Sequence, residues 1–340
     1  MSHSQPVQLG LCCINTILRE QKPPIFMSRK MTIKGILEKG LEPLKDRILQ
    51  NLRDVLSIMD WNESNGIKVL RLSSELFPHK TNQRVPSYSF DFALSLLREI
   101  GQKSYQYGQR LTFHPGQFNV VGTPNSKCLQ QTIADLTCHA DILDLMGLGD
   151  DSVIVVHGGG TYGNKAETMS RWCSQFMLLP ENVRRRLVLE NCEKNFNIDD
   201  CLEISERINI PIVFDTHHFQ CYKLLHPDEE FAAPEEYIGR ILETWRRRNI
   251  KPKFHVSEQG AGRCGHHSDY IQQIPTYLLD IPTKFGVHID IMIEAKCKEQ
   301  SILRLYEKYP GLNCVDEISS VNNSRQIKKK RRICFIIEEE

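Results

Sequence analysis

Neither sign of charge dominates the 340-residue sequence: 43 lysines and arginines face 42 aspartates and glutamates, for a net charge of +1. The absence of an overall basic field argues against a protein that binds polyanions through its global charge. Any contact with nucleic acid would therefore depend on local lysines and arginines. Long hydrophobic runs are also missing. No apolar stretch approaches the roughly 18 residues of a membrane span, so we expect no membrane contact.

Cysteine pairs with redox or metal-site spacing are absent as well. The twelve cysteines are scattered, none forms a C-x-x-C pair, and the N-terminus has no long apolar segment typical of a secretory signal. We therefore expect reduced thiols in an intracellular protein, cytoplasmic or nuclear. The glycines at 158–160 lack the residues and spacing of a nucleotide-binding loop, so they indicate only close backbone approach.

Short apolar, β-branched runs alternate with longer helical patterns along most of the chain. Continuous apolar runs of this kind are typical of parallel strands buried on both faces. Eight of them predict strands, at 8–15, 67–72, 110–114, 152–157, 186–190, 211–215, 253–257 and 288–294. Eight strands in βα alternation favour a closed (β/α)₈ TIM barrel, an α/β fold, over an open doubly wound sheet.

Helical periodicity fills the intervals between these strands. It predicts helices at 42–60, 90–107, 128–146, 166–178, 199–208, 234–248 and 298–309. We expect one barrel domain over residues 1–312. Residues 313–340 carry a basic block and an acidic end, which predicts a charged, flexible C-terminal tail.

The predicted strands repeatedly end in a histidine, aspartate or glutamate. These strand-end residues are His114, His157, Glu190, Asp215, His255 and Glu294, with His218 three residues after Asp215 and the pair His266 and His267 in the loop after strand seven. Alone, each could be a hydrogen-bonded loop residue or a helix cap. At one barrel mouth, however, so many buried acidic and imidazole groups would be costly without cations to pair them.

The combination of oxygen and nitrogen donors, without cysteine, favours Mn²⁺, Mg²⁺ or Zn²⁺. Three carboxylates and four or five histidines exceed the needs of one ion, so we expect two or three ions. Such clusters stabilise both the attacking and the leaving oxygen in phosphodiester cleavage. The pattern therefore predicts hydrolysis of a phosphate ester, with Glu190 and His255 among the catalytic residues.

Two further features of the strand ends leave alternatives open. Lys253 and His255 are two residues apart on one strand and face the same side. A lysine aimed at cations could be deprotonated, carbamylated by CO₂, directed at a phosphate, or paired with a carboxylate. Gln117 and Phe118 follow a Pro-Gly turn after strand three and offer an amide beside an aromatic ring. They could insert into a nucleic-acid duplex or form an ordinary rim contact.

At this point the motifs resemble the UV damage endonuclease family, relatives of endonuclease IV in the xylose-isomerase-like barrel superfamily. The matching segments are LGLCCIN, LRLSSELFP, LTFHPGQFNVV, VVHGGG, LVLEN, VFDTHH, KFHVSE, HSDYI and DIMIEAKCKE, which follow in order across residues 8–300. The resemblance implies an enzyme that nicks damaged double-stranded DNA immediately 5′ to cyclobutane dimers and 6-4 photoproducts, using a Mn²⁺ cluster.

The resemblance also assigns roles to individual residues. It implies the metal ligands His114, His157, Glu190, Asp215, His218, His255, His267 and Glu294. It favours carbamylation for Lys253, which matches the family's modified, metal-bridging lysine and joins Glu190 and His255 as a candidate catalytic residue. Gln117 and Phe118 match the pair that probes the lesion, and Asn15 matches a residue that lines the pocket for the flipped photoproduct.

Three positions depart from the family pattern. Phe118 stands in place of a tyrosine, Leu11 in place of a common pocket tyrosine, and Asn82 in place of a histidine near the metals. His79 could replace that histidine only if its loop runs differently. These departures bear on lesion preference more than on nicking.

Three rival functions remain on the same residues. An abasic-site endonuclease of the endonuclease IV type would use the same ligands with a smaller pocket. A metal-dependent sugar isomerase would not need the Gln117-Phe118 pair, and a non-catalytic binder of damaged DNA would not need the full ligand set. No obligate protein partner is indicated, and we expect a monomer.

Overall fold

The computed structural model describes residues 5–313, and its strands form one parallel barrel. The eight strands are β1 (Val7–Cys12), β2 (Val69–Arg71), β3 (Arg110–Thr112), β4 (Ile154–His157), β5 (Leu187–Glu190), β6 (Ile212–Asp215), β7 (Lys253–Val256) and β8 (Ile289–Ile293). Each predicted strand segment overlaps one of them, and seven of the eight contain the whole strand. β1 differs most from its prediction, because it ends at Cys12 and residues 13–15 form the following loop.

Parallel pairing joins the strands in the order β3-β2-β1-β8-β7-β6-β5-β4. The two outer strands of this order meet through Phe113, whose N–H donates to the carbonyl of Val153 at 3.0 Å. The carbonyl of Phe113 in turn accepts from the N–H of Val155 at 2.9 Å. These bonds close the sheet into a cylinder, so the predicted (β/α)₈ TIM barrel is confirmed.

Helices surround the strands on the outside of the barrel. They are α1 (Thr16–Arg19), α2 (Ile33–Lys39), α3 (Glu42–Ser64), α4 (Leu94–Tyr107), α5 (Ser126–Leu145), α6 (Lys165–Phe176), α7 (Glu181–Arg184), α8 (Ile198–Ile208), α9 (Thr216–Leu225), α10 (Pro234–Arg246), α11 (Thr276–Leu279), α12 (Ile281–Phe285) and α13 (Lys298–Lys308), with 3-10 turns at Asp91–Ala93 and Pro310–Leu312. Each predicted helical stretch overlaps one of the longer helices. Helix α9, with 10 residues, and the shorter helices were not predicted. The short ones hold too few residues to show the helical period.

Helix α5 shows how the sequence builds this outer layer. The side chain of Asn125 accepts hydrogen bonds from the N–H groups of Lys127 and Cys128 and caps the helix. Leu136 and Leu143 lie on one face and are fully buried against the barrel. Their burial stabilises the helix by about 1.5–3 kcal/mol per side chain.

The strand interiors carry the other side of this core. All residues of β2, β3, β5, β6, β7 and β8 are buried, as expected for strands covered by helices outside and side chains inside. Within residues 5–313, the structure contains no helix long and apolar enough to span a membrane. The tail predicted for 313–340 lies outside the described residues apart from Asn313, so the domain boundary stays a prediction.

Candidate metal centre

Glu190, the last residue of β5, is fully buried and lies at the centre of the barrel mouth. Its Oε2 is 2.9 Å from His114 Nε2 and 3.8 Å from His157 Nε2. Its Oε1 is 2.9 Å from His255 Nδ1 and 3.5 Å from His218 Nδ1. Four predicted imidazole ligands therefore surround one predicted carboxylate ligand.

A second group of donors lies beside the first and shares His255 with it. Donor atoms of Asp215, His255 and Glu294 all lie within 4.8 Å of one another. His255 Nδ1 is 3.2 Å from Glu294 Oε1, and His267 Nδ1 is 4.0 Å from Glu294 Oε2. The structure thus brings all eight predicted metal ligands to one end of the barrel.

The strand register explains why these side chains meet. His157 on β4 pairs with Glu190 on β5, and Asp215 on β6 pairs with His255 on β7. Parallel strands place such paired residues at the same height in the barrel. His218 joins them from the first turn of α9, because Asp215 Oδ1 accepts hydrogen bonds from its N–H at 2.8 Å and caps that helix.

Several donor atoms are buried without a protein partner, and this tests whether cations fit the site. In the described part of the chain, Asp215 Oδ2 and His157 Nδ1 are buried and have no hydrogen-bond partner. Unpaired polar atoms of this kind cost about 1–3 kcal/mol each. Carboxylate and imidazole donors suit hard and borderline divalent cations. The donor groups can therefore hold metal ions.

Burial and the neighbouring charges set the protonation of these groups. Burial disfavours charge on Glu190, but the imidazoles of His255, His157 and His114 keep its pKa well below the usual value. Burial lowers the pKa of His157 to about 4, which leaves a neutral imidazole able to bind a metal. Burial also disfavours the charged form of His218, but the carboxylates of Asp215 and Glu190 outweigh this effect and raise its pKa to about 9. The centre therefore carries a strong negative field.

Arg71 is a member of the centre that sequence reasoning missed. The prediction treated residues 67–72 as an apolar strand and named no functional residue within it. In the structure Arg71 is buried, its guanidinium pairs with Glu294, and its Nη2 lies 3.3 Å from His255 Nε2. The signal was available, because a charged residue inside a buried strand requires a partner.

Lys253 lies one layer below His255 and is completely buried. Its Nζ donates to Thr112 Oγ1 at 2.9 Å. Burial, together with the nearby charges of Arg71 and Arg110, lowers its pKa to about 7. Within residues 5–313 Lys253 forms no salt bridge with a carboxylate, so the structure does not support the ion-pair alternative for this residue.

Gln117 and Phe118 lie at the rim of the barrel mouth and are both exposed. The Phe118 ring is 69% exposed and passes over Gly116, where a Cβ would come within 2.6 Å of the ring. Asn119 braces this turn, because its N–H donates to the carbonyl of Gly116 at 3.0 Å. Its Nδ2 also donates to Asp135 at 2.8 Å. The turn thus holds an aromatic ring in solvent.

A cavity of about 880 Å³ opens next to this ring. Phe118, His114 and Asn82 are among the residues that line it, so it connects the rim to the metal centre. Its size lies in the range of ligand pockets.

Two residues matched to the photoproduct pocket have structural roles here. Asn15 is fully buried, and its Oδ1 accepts from the N–H of Leu18 at 2.9 Å to cap α1, while its Nδ2 has no partner among the described residues. Leu11 is fully buried in the core.

The two residues at the position of the family histidine are both engaged elsewhere. His79 Nε2 lies 2.7 Å from the carbonyl oxygen of Met31. The Asn82 side chain accepts from the N–H of Arg84 at 3.0 Å. His79 is not a member of the donor groups found among the described residues.

The adjacent histidines of the β7 loop are separated by the structure. His266 is exposed and interacts with Arg263 and the carbonyl of Ala261. His267 is the one that approaches Glu294.

Comparison with known proteins places this geometry in a family. The family model for UV-endonuclease UvdE matches residues 7–325. A relative from Acanthamoeba polyphaga mimivirus is 41% identical over 89% of this chain and 91% of its own length. The UV-damage endonuclease of Schizosaccharomyces pombe is 36% identical over 89% of this chain, which spans 50% of that longer protein.

Structural comparison agrees with the sequence comparison. The crystal structure of SacUVDE superposes with a TM-score of 0.76 at 26% identity, covering 91% of this chain and 100% of that one. The structure of L-ribulose 3-epimerase reaches a TM-score of 0.50 at 11% identity, which shows the shared barrel fold alone. The chain belongs to the UV-endonuclease UvdE family.

Proposed function

We propose that the protein is a metal-dependent DNA repair endonuclease that nicks the phosphodiester bond immediately 5′ to UV photoproducts, both cyclobutane dimers and 6-4 photoproducts. The observation that carries the proposal is the convergence of three carboxylates, two of them fully buried, and five histidines at one barrel mouth, with unpaired donor atoms among them. The UV-damage endonucleases among its relatives support the choice of substrate. Since its substrate is DNA, we place the enzyme inside the cell.

The proposed cofactor is a cluster of two or three Mn²⁺ ions, for which Zn²⁺ or Mg²⁺ are the alternatives. Glu190 would bridge ions, because its two oxygens face different pairs of histidines. The other proposed ligands are His114, His157, Asp215, His218, His255, His267 and Glu294. Bound divalent cations would polarise the scissile phosphodiester and favour ionisation of the attacking water.

The residues of the chain supply positioning and exclusion of water. Gln117 and Phe118 would enter the duplex at the lesion and occupy the space left by displaced bases, because their turn is braced and their side chains are exposed. The adjoining cavity gives room for nucleotides removed from the stack. Asn15 would contribute its unpaired Nδ2 to this region only after a local shift, because it is buried.

Carbamylation of Lys253 is part of the proposal. The reaction with CO₂ requires a neutral amine, and a buried lysine with a pKa of about 7 provides one near neutral pH. The resulting carbamate would add an anionic donor one layer below His255. Intact-protein mass spectrometry should find an added mass of one CO₂ that is lost on acidification and absent from Lys253→Gln.

The decisive experiment is a nicking assay with Mn²⁺ on three labelled duplexes that differ only in a thymine dimer, an abasic site or no damage. We expect a nick immediately 5′ to the dimer, with a 3′-hydroxyl that a polymerase extends. The Glu190→Gln variant should leave the dimer-containing duplex uncut.

The rival functions give different results in the same assay. Cleavage confined to the abasic duplex would indicate an abasic-site endonuclease. Binding of the dimer without a nick under any divalent cation would indicate a non-catalytic damage binder. Failure to bind DNA would revive the sugar isomerase.

A further inference from the structure

A pair of cysteines lies beside the metal centre and takes no part in the proposed reaction. Cys221 is buried on α9, and Cys264 is partly exposed in the loop after β7. Cys221 Sγ and the N–H of Gly265, the residue after Cys264, both contact Gln259 Oε1, at 3.9 and 3.0 Å. The Cys264 thiol is also close enough to raise the pKa of the Cys221 thiol, and neither cysteine is bridged to another. We propose that Cys221 and Cys264 form a thiol modification site, at which a small disulfide such as oxidised glutathione converts the two thiols into one disulfide bond.

The surroundings hold the two cysteine-bearing segments together. Cys221 Sγ lies 3.2 Å from His217 Nε2, which is itself 3.1 Å from Gln259 Oε1. The same Gln259 oxygen accepts from the N–H of Gly265 at 3.0 Å, next to Cys264. These shared contacts hold the helix and the loop side by side, which is the arrangement that a disulfide between Cys221 and Cys264 requires.

Accessibility fixes the order of the reaction. Cys264 meets the reagent first, because Cys221 is buried and its burial raises its pKa to about 12. The Cys264 sulfur attacks the small disulfide, forms a mixed disulfide and releases one small thiol. The Cys221 sulfur then attacks Cys264, and its proton leaves with the second small thiol. Two protein thiols and one small disulfide thus give one protein disulfide and two small thiols.

The bond would connect two segments that carry metal-centre residues. The loop after β7 is a hairpin, in which Gln259 and His267 form an antiparallel bridge and the N–H of Gly260 donates to the carbonyl of His266 at 2.7 Å. Helix α9 begins directly after Asp215 and carries His218. A disulfide from Cys221 to Cys264 therefore fixes the hairpin of His267 against the helix of His218.

Peptide mapping of the full chain tests the proposal directly. The folded protein is incubated with oxidised glutathione, free thiols are alkylated, and the protein is digested with trypsin without reduction. Cys221 is released in the peptide 208–223 and Cys264 in the peptide 264–284, and each peptide contains a single cysteine. We expect these two peptides to be joined, and to separate after treatment with dithiothreitol.

Native proteolysis supplies a second readout that does not depend on catalysis. Arg263 precedes Cys264 in the hairpin, and its side chain is exposed. Trypsin must also bind the backbone on both sides of the cleaved bond, so cleavage there requires local opening of the hairpin. Fixing the hairpin should slow this cleavage about fivefold or more, because local opening controls proteolysis. Cys264→Ser should lose both the joined peptide and the protection, whereas Cys128→Ser, at an exposed cysteine on α5, should retain both.

Two outcomes would overturn the proposal. One is a digest in which Cys264 carries only glutathione and Cys221 is alkylated. The other is equal protection of Arg263 in wild-type protein and Cys264→Ser after oxidation. The wild-type digest alone decides the first outcome, so the test does not depend on a variant that folds.

Discussion

The two ends of the barrel both bury charged side chains, but they balance the charge differently. At the amino ends of the strands, Asp290 is fully buried and faces two cations. Its Oδ2 is 2.8 Å from Arg110 Nη1, and its Oδ1 is 2.5 Å from Lys251 Nζ. Arg110 also donates to the carbonyl oxygen of Lys251. The charge at this end is balanced by the protein itself.

The carboxyl ends of the strands show the opposite balance. Glu190, Asp215 and Glu294 are gathered there, and Arg71 is the permanent cation that the structure places among them. Removing carboxylates from water without compensating charge costs several kcal/mol per ion. The difference indicates that ion pairs within the protein stabilise the amino end of the barrel, whereas the carboxyl end is suited to bind cations that balance its carboxylates.

The largest effect that tests this comparison is the loss of nicking in Glu190→Gln. The substitution keeps the shape of the side chain but removes the charge between two pairs of histidines. We expect the single-turnover rate of Mn²⁺-dependent nicking to fall by about a thousandfold, or about 4 kcal/mol in activation free energy. Near-normal nicking by this variant would contradict the assignment of the centre.

Asp290→Asn should produce the complementary effect at the base. It leaves Arg110 and Lys251 without their carboxylate, and breaking a buried ion pair in this way costs about 3 kcal/mol of unfolding free energy. Urea denaturation measures this loss, while Mn²⁺ affinity of the folded variant should stay at the wild-type value. Asp269→Asn, at an exposed salt bridge with Lys296, is the matched control and should change stability by less than about 0.5 kcal/mol.

Removing the metal should show, in a single measurement of stability, which end of the barrel binds it. With Mn²⁺ at a hundredfold excess over its Kd, binding to the folded state adds about 2.7 kcal/mol of stability, which a chelator removes. Thermal unfolding with and without chelator should show this shift in wild-type protein and in Asp290→Asn. The shift should shrink strongly in Glu190→Gln. Equal shifts in all three proteins would place the metal elsewhere.

The sequence predicted the barrel and the strand-end residues well, for a simple physical reason. Parallel strands bring all their carboxyl ends to one face, so predicted ligands such as His157 and Asp215 meet once the strands are located. The sequence did not reveal Arg71, because an arginine within a run of apolar residues was taken as part of the strand.

Loops were harder to predict than strands, because their backbone decides where a side chain points. The choice of His267 over His266 depends on the hairpin of the β7 loop, which cannot be predicted from helical or strand periodicity. His79 contacts a backbone carbonyl and Asn15 caps a helix, and neither contact could be predicted from the sequence pattern.

The smallest expected effect concerns recognition at the rim rather than the metal centre. Phe118→Ala should weaken binding of a dimer-containing duplex by about 2 kcal/mol, roughly thirtyfold, because one stacking surface is lost. Phe118→Tyr should bind as tightly as the wild type, since the ring is kept.

Tyr105→Ala is the matched control. It removes an aromatic side chain that is 66% exposed near the base of the barrel, and it should leave DNA binding unchanged. Fluorescence anisotropy of a labelled duplex, in buffer without divalent metal, measures this binding apart from catalysis. Equal losses for Phe118→Ala and Tyr105→Ala would mean that DNA does not distinguish the two ends of the barrel.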